Sequence, residues 1–353
     1  MVRANGKSPD GISYTAVSEA NNFDTSFGGC YSNFLPGSLI RLEVIFKNHT
    51  AILTPVREEI HILDSLGVIV WKTTLNLDLS PNGDLKLPLL VPVPKIQGHY
   101  TLTLGESSEE QMGMIPKIAF NAIQPQKSPR LSKILVTTPD FEDDLGRFIK
   151  TWDIKAPTFS WAQVLLCGKA SYQRYVAGDP QLTQLISRAL HREMSVIFLD
   201  FAPPDTILSV ESKTLIPFGL TAHFIPLKTG EQIFQLKSEN PELPYNLANY
   251  QTLRWNGCNG IAVPATQLIF EGRGVKIRAD VSSGADPVQY PVVEIIPAAG
   301  KGRLILSQLI TDGRIDDSNM PGRFKADLPA YDPMAVQFLL NLISSAVGDN
   351  LLK

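Results

Sequence analysis

The sequence predicts a multidomain β plus α/β protein, an antiparallel β-sandwich followed by a parallel-sheet α/β domain. Three observations lead to this. Residues 38–104 hold short alternating strands broken by turn signals, with no helical stretch among them. A proline-bearing polar bridge, QPQKSPR at 124–130, then ends that pattern. Beyond it, apolar strands alternate with amphipathic helix, most clearly in WAQVLLCGKASYQRYVAGDPQLTQLISRALHREMSVIFLDFAPPD at 161–205.

Residues 1–30 are rich in Gly, Ser, Asn and Asp, with sporadic apolar positions, and are expected to form an extended lead-in. From Ser38, LIRLEVIFKN alternates, and Glu59 to Leu63 continues the β pattern. Asp64-Ser65-Leu66-Gly67 is a turn, Val68 to Thr73 the return strand, and Leu75 to Leu79 a further strand. Pro81-Asn82-Gly83-Asp84 turns the chain into LKLPLLVPVP, and Gly98 to Leu104 is the last clear strand. Strands of this length and spacing describe a sandwich of the immunoglobulin-like type over 31–123, with Trp71 in its core.

The α/β domain is expected over 131–353. Lys133 to Thr137 reads as its first strand, and Pro139 to Asp144 opens a helix through Leu145, Phe148 and Ile149. Val164 to Cys167, closed by Gly168, is too short for a buried helix and reads as a core strand. Pro180 starts a helix whose Leu182, Leu185, Ile186, Ala189 and Leu190 share one face, and His191 and Arg192 suit its C-terminal dipole. Val196 to Leu199 is the next strand, stopped by Asp200 and the Ala202-Pro203-Pro204 turn. Two short strands flanking a helix require a parallel crossover, which puts Asp200 at the carboxyl end of a central strand, where open α/β sheets hold their sites. Ile216 to Leu227 reads as loops and short strands, followed by the polar insertion KTGEQIFQLKSENPELPYNL. Val263 to Ile269 and Val275 to Val281 are extended, and Pro291 to Ile296 pairs with Arg303 to Leu309 around Gly300-Lys301-Gly302. Asp332-Pro333 opens a last helix with Ala335, Phe338, Leu339, Leu342, Ile343 and Ala346 on its apolar face.

Composition narrows the function classes. A chain of 353 residues with 44% hydrophobic residues and a net charge of -3 lacks the basic excess that phosphate-backbone binding demands, which argues against a nucleic-acid partner. Cys30, Cys167 and Cys258 are too few and too scattered for a disulfide framework or a zinc site, so no metal and no cofactor is expected. No apolar run reaches the length of a membrane span, and MVRANGKSPDG carries no export signal. Asn48-His49-Thr50 fits a glycosylation sequon, a pattern common by chance.

The turn at Asp200 is where a nucleophile elbow would hold Ser or Cys, yet a carboxylate occupies it. No Ser or Cys with a base beside it replaces it: Cys167 ends another strand as a small apolar residue, and His191 and His223 stand alone. No catalytic residue is assigned. Asp140, Glu142 and Asp143, with Asp144, lie at the carboxyl end of the first strand and could face Asp200 across one crevice, binding sugar hydroxyls or a hard cation; as a bland alternative, Asp140 is a natural helix N-cap. Glu58 and Glu59 are strand neighbours on opposite faces and cannot flank one glycosidic bond. Flat rings are the other candidate sugar contacts, among them Trp161, Tyr172, Tyr245, Tyr250 and Trp255, with Arg254-Trp255 beside Asn256-Gly257 singled out.

Three stretches carry a family resemblance: the strand-helix-strand unit from Val164 to Asp200, LANYQTLRWNG from Leu247 to Gly257, and GKGRLILSQLITDGR followed by DPMAVQFLLNLI. Through them residues 128–347 resemble the class I glutamine amidotransferase-like domain, a flavodoxin-like fold, in the diverged form near the C-terminus of some bacterial β-galactosidase and β-glucuronidase type glycoside hydrolases. Residues 35–104 are similar to the immunoglobulin-like domains upstream of such modules. The resemblance implies a partnership with carbohydrate or with a glycoside hydrolase catalytic domain, a homo-oligomer in some relatives, and a parent enzyme that could be periplasmic or secreted. True glutaminases of the class carry Cys at the elbow and a late His with Glu; here Asp200 stands at the elbow and no His follows His223. The catalytic barrel of those glycosidases has no counterpart ahead of Ser38. The expectation is a non-catalytic accessory module for carbohydrate binding, domain positioning or subunit contacts; the alternatives are a hydrolase with an acidic site around Asp200 and a purely structural oligomerisation module.

Overall fold

The computed structural model describes residues 4–7, 12–18, 33–104, 117–203, 211–226, 234–236, 242–247, 250, 255, 266–273, 275–283, 291–297, 302–316 and 331–347. The chain divides into two compact units. The first comprises Met1–Gln124 with Trp255–Gly260 and Pro321–Pro333; the second comprises Pro125–Arg254, Ile261–Met320 and Met334–Lys353.

The first unit is all β. Its strands are β1 (Ala4–Lys7), β2 (Ile12–Ser18), β3 (Asn33–Phe34), β4 (Leu39–Asn48), β5 (Thr54–Leu63), β6 (Ile69–Leu79), β7 (Asp84–Pro92), β8 (Gly98–Leu104) and β9 (Lys117–Ala122). They form a four-stranded sheet, β1-β2-β4-β7, and a five-stranded sheet, β3-β9-β8-β5-β6. Inward residues of both sheets share one core: Val44, Phe46 and Val91 from the first meet Ile60, Ile62, Leu102 and Phe120 from the second. Alternation along each strand puts one face there and the other in solvent. Trp71 packs partly buried against this core. Asn48 is buried, and its side-chain amide donates to the carbonyls of Ile52, Leu79 and Ser80, so the sequon asparagine is a structural tie.

Two local expectations differ from the structure. The lead-in supplies two strands: β2 pairs antiparallel with β4 over seven positions, Tyr14 opposite Phe46. Ordering comes from the neighbouring ten-residue strand, not from the polar segment's own composition. The expected break at Thr74, between Val68–Thr73 and Leu75–Leu79, is absent, because β6 runs unbroken beside β5 through it.

The second unit is α/β. Its elements are β10 (Val136–Thr137), α1 (Asp144–Thr151), β11 (Val164–Cys167), α2 (Lys169–Val176), α3 (Pro180–His191), β12 (Ser195–Phe198), β13 (Ser212–Ile216), β14 (Leu220–Pro226), β15 (Phe234–Leu236), β16 (Thr266–Glu271), β17 (Val275–Ser283), β18 (Val292–Pro297), β19 (Arg303–Ser307) and α4 (Pro333–Ser345). A seven-stranded mixed sheet runs β10-β11-β12-β19-β18-β17-β15; the first four strands are parallel and the last three antiparallel to their neighbours. The parallel strands follow one another in chain order, without the reversal that marks the 2-1-3-4-5 arrangement of flavodoxin itself. A separate antiparallel sheet, β13-β14-β16, contributes Ile216, Leu220 and Phe224 to the core that α3 shares with β11, β12 and β19.

Helix α3 starts where Pro180 follows Asp179, whose carboxylate caps the amides of Gln181 and Leu182. It ends before Gly302, whose φ of +47° and close approach to the Leu190 carbonyl leave no room for a side chain. Helix α2 was absent from the sequence reading. Helix α4 is buried on all sides, not on one apolar face. Its polar residues Gln337, Asn341 and Ser344 lie at helical spacing and serve as hydrogen-bonding posts for loops. Gln337 bonds the backbone N–H and carbonyl of Gln126, Asn341 donates to the carbonyls of Leu243 and Tyr245, and Ser344 donates to Glu242. The 124–130 bridge is thus fastened along α4, with Ser128 bonded to Ser344 and Arg130 to the Val347 carbonyl.

Candidate functional site

The carboxyl ends of β10, β11 and β12 open into a crevice of about 630 Å³ in the second unit. Its walls come from the segment before α1, the start of α2, the turn after β12 and the loop after β19. Asp140, Glu142, Asp143 and Asp200 all line it, so the structure brings these four together.

Asp200 lies two residues past the end of β12, after Leu199, and is 9% exposed. Its backbone has φ +52°, the left-handed region that Asp and Asn enter more readily than other side chains. The following amide, Phe201 N–H, is tied to the Ser307 carbonyl at 2.8 Å, which holds the turn against β19. Both carboxylate oxygens are engaged. Oδ1 accepts from the amides of Thr311 (2.8 Å) and Asp312 (3.3 Å), and Oδ2 from the Thr311 hydroxyl (2.6 Å). Burial pushes its pKa up to about 6 despite these donors, with the Asp312 charge adding to the rise.

Asp140 is buried and equally committed. One oxygen accepts from the Gly168 amide at 2.7 Å and the other from the Ser171 hydroxyl at 2.6 Å. It therefore anchors the start of α2, across 28 residues, while the N-cap position of α1 falls to Asp143. Gly168 suits this contact, since a Cβ there would lie 3.3 Å from the Asp140 carboxylate. Gly146 is required more strictly: its Cβ would fall 2.0 Å from the Phe141 carbonyl oxygen.

Between these two buried acids the crevice carries both signs of charge. Asp144 accepts from the Gly313 amide at 3.0 Å, and burial raises its pKa. Lys169 pairs with Asp312 at 2.9 Å, both about half exposed, and Arg147 pairs with the buried Asp316 at 2.7 Å. The hydrogen bond to Asp312 raises the Lys169 pKa. Glu142 and Asp143 are exposed. Lys169, Thr311, Asp312 and Gly313 were missed by the sequence reading. The local signal was Thr-Asp-Gly shortly after an apolar strand, a turn pattern whose Gly313 takes φ +70°.

The aromatic candidates lie elsewhere. Tyr172 is 2% exposed and packs against Phe198 and Phe201, with ring centroids 5.8 and 4.8 Å away. Trp255 belongs to the first unit and is 0% exposed. Neither presents a ring face to solvent. Arg254 lies outside the described residues, as do Cys30 and Cys258. Cys167 is fully buried, and burial beside Asp140 drives its thiol pKa well up, which keeps it protonated and unreactive. His223 stands between Glu211 and Glu271 on the three-stranded sheet, at 3.2 and 3.0 Å. No group of His, Cys, Asp and Glu among the described residues is arranged to hold a metal ion, and no described helix is long and apolar enough to cross a membrane.

No family model matches the sequence, and no curated protein matches it. Among solved structures, a β-glucosidase from Listeria innocua in complex with isofagomine aligns at 15% identity over 33% of this chain and 17% of its own, with a TM-score of 0.24. A family 123 glycoside hydrolase from Clostridium perfringens aligns at 5% identity over 58% of this chain and 50% of its own, also at 0.24. The C-terminal domain of wzt aligns at 13% identity over 32% of this chain and 72% of its own, at 0.19. The chain thus spans less than two thirds of either hydrolase, and at these scores the likeness assigns neither a fold family nor an activity.

Proposed function

We propose that this chain is a non-catalytic accessory module of a glycoside hydrolase, built from an immunoglobulin-like sandwich and an amidotransferase-like α/β domain that has lost its nucleophile. The observation that carries the reading is Asp200. It sits at a strand-to-turn elbow with left-handed backbone, the position of an acyl-transfer nucleophile, yet both of its oxygens are spent on the loop that holds Thr311 and Asp312. A carboxylate so engaged acts as a tie between β12 and that loop.

Two further features support the reading. The Tyr100 hydroxyl donates to the Ile96 carbonyl four residues upstream at 2.8 Å, the arrangement of the tyrosine corner in immunoglobulin-like sandwiches. The exposed Glu142, Asp143 and the Lys169–Asp312 pair offer the crevice mouth donors and acceptors suited to sugar hydroxyls. The test is the intact mass of the gene product in its source organism, by immunoblot and mass spectrometry, with affinity capture of its partners. A larger species containing a glycosidase barrel, or a captured glycoside hydrolase, is expected. A species of this size with no glycosidase attached counts against the proposal.

One observation favours a second reading, a hydrolase with an acidic site. A carboxyl titrating near 6 beside a polar crevice has the acidity of a general acid or base. That reading requires Asp200→Asn to abolish turnover on glycosides or amides.

A further inference from the structure

We infer that the chain pairs with a second copy of itself through the edge of β6 that no described strand pairs with, antiparallel about a two-fold axis at Leu75. Among the described residues the sheets of the first unit end in four edge strands: β1, β7, β3 and β6. β1 and β3 are only four and two residues long, and β7 carries Pro88 and Pro92, which lack the N–H that strand addition needs. β6 has eleven residues, no proline, and only Lys72 and Asp78 as charges. A long, proline-free edge of this kind is a template for another strand.

The sequence of β6 specifies its own complement. Centring the pair on Leu75 sets Lys72 opposite Asp78 of the second copy and Asp78 opposite its Lys72, with Thr74 opposite Asn76 between them. All four lie on the exposed face of the strand. Neither Lys72 nor Asp78 has an ion-pair partner among the described residues. Centring on Lys72 or on Asp78 would instead oppose like charges, so only the Leu75 register brings the opposite charges together. The same register serves the inner face. Leu75 meets Leu75 of the second copy, Trp71 meets Leu79, and Thr73 meets Leu77, in a strand whose Trp71, Leu75 and Leu77 are only partly buried in one copy. The result is one continuous ten-stranded sheet with its apolar side extended across the axis.

Sedimentation equilibrium of the full chain tests this. The wild type is expected to dimerise in the micromolar range, with amide protection of residues 71–79 rising with concentration. Lys72→Glu and Asp78→Lys each place two like-charge pairs in the interface and are expected to weaken the dimer roughly tenfold. The double exchange, Lys72→Glu with Asp78→Lys, rebuilds both pairs and is expected to restore it. Because both residues are exposed, all three variants keep their fold. A wild-type chain that stays monomeric at high micromolar concentration overturns the inference and leaves the edge to a strand of a different protein. A dimer indifferent to the single exchanges, or not rescued by the double one, overturns it as well.

Discussion

Replacing Asp200 by Asn is expected to stabilise the protein at neutral pH and to have little effect in acid. The folded carboxyl titrates at about 6 against an ordinary value of 3.8, because burial disfavours its charge more than the Thr311 and Asp312 donors favour it. A raised pKa means that the folded state holds this proton more tightly than the unfolded chain. For this group, folding is therefore most favourable below the ordinary value, and stability declines as pH rises through the window up to about 6. Roughly two pH units at about 1.4 kcal/mol each place the cost of the ionised side chain at about 3 kcal/mol above that window. Asn cannot ionise, its Oδ1 still accepts from the Thr311 and Asp312 amides, and the Thr311 hydroxyl can turn to accept from its amide. Asn also tolerates φ +52°. The advantage of the variant should therefore grow by about 2–3 kcal/mol between about pH 4 and about pH 7.5, read as the difference in urea unfolding between variant and wild type. All other carboxylates are common to both proteins and cancel. A variant equally destabilised at both pH values would refute the reasoning, because it would mean that the ionised carboxylate, not the shape of the group, holds the loop.

Asn341→Leu is expected to cost about 2–4 kcal/mol, since it leaves the buried carbonyls of Leu243 and Tyr245 without their donor; chemical denaturation measures it. Tyr172→Ala should lose about 3–5 kcal/mol of packing against Phe198 and Phe201, while Tyr172→Phe removes a buried hydroxyl with no hydrogen-bond partner among the described residues and should change stability by less than about 1 kcal/mol. Retention on a polysaccharide gel should be unchanged by Tyr172→Phe. Gly146→Ala places a methyl group on the Phe141 carbonyl and should cost more than Gly178→Ala, whose Cβ has no neighbour within 4 Å although both its backbone and that of Gly67 are left-handed; thermal unfolding of the two variants decides this.

The core of the α/β unit was legible because its signals are local. Val164–Cys167 is a four-residue apolar run closed by glycine, and α3 is announced by Asp179-Pro180 and ended by His191. Placing Asp200 at the end of a central parallel strand followed from those two elements, and β12 does lie between β11 and β19. Asp140, Glu142 and Asp143 could be set on the same crevice because strand ends collect on one side of a parallel sheet. What those carboxylates do was not legible. The partners of Asp140 lie 28 and 31 residues away and those of Asp200 more than a hundred, and no local pattern encodes them. Helix α2 escaped because KASYQRYV has a weak apolar periodicity and depends on Tyr172 finding a phenylalanine pocket. The apolar face of α4 was legible from its spacing, but the role of its polar Asn341 was not, because the carbonyls it serves lie 96 and 98 residues away. For Tyr172 and Trp255, ring chemistry alone could not separate a sugar platform from a core residue, and burial does.

Asp200 is proposed to act as a tie and not as a reacting group. The most direct measurement is turnover of a panel of glycosides and amides by the purified wild-type chain and by Asp200→Asn, run at about pH 6, where half of the carboxyls carry a charge. Neither protein is expected to turn over any substrate of the panel, with both folded. Hydrolysis by the wild type that disappears in Asp200→Asn would contradict that role and make the crevice an active site.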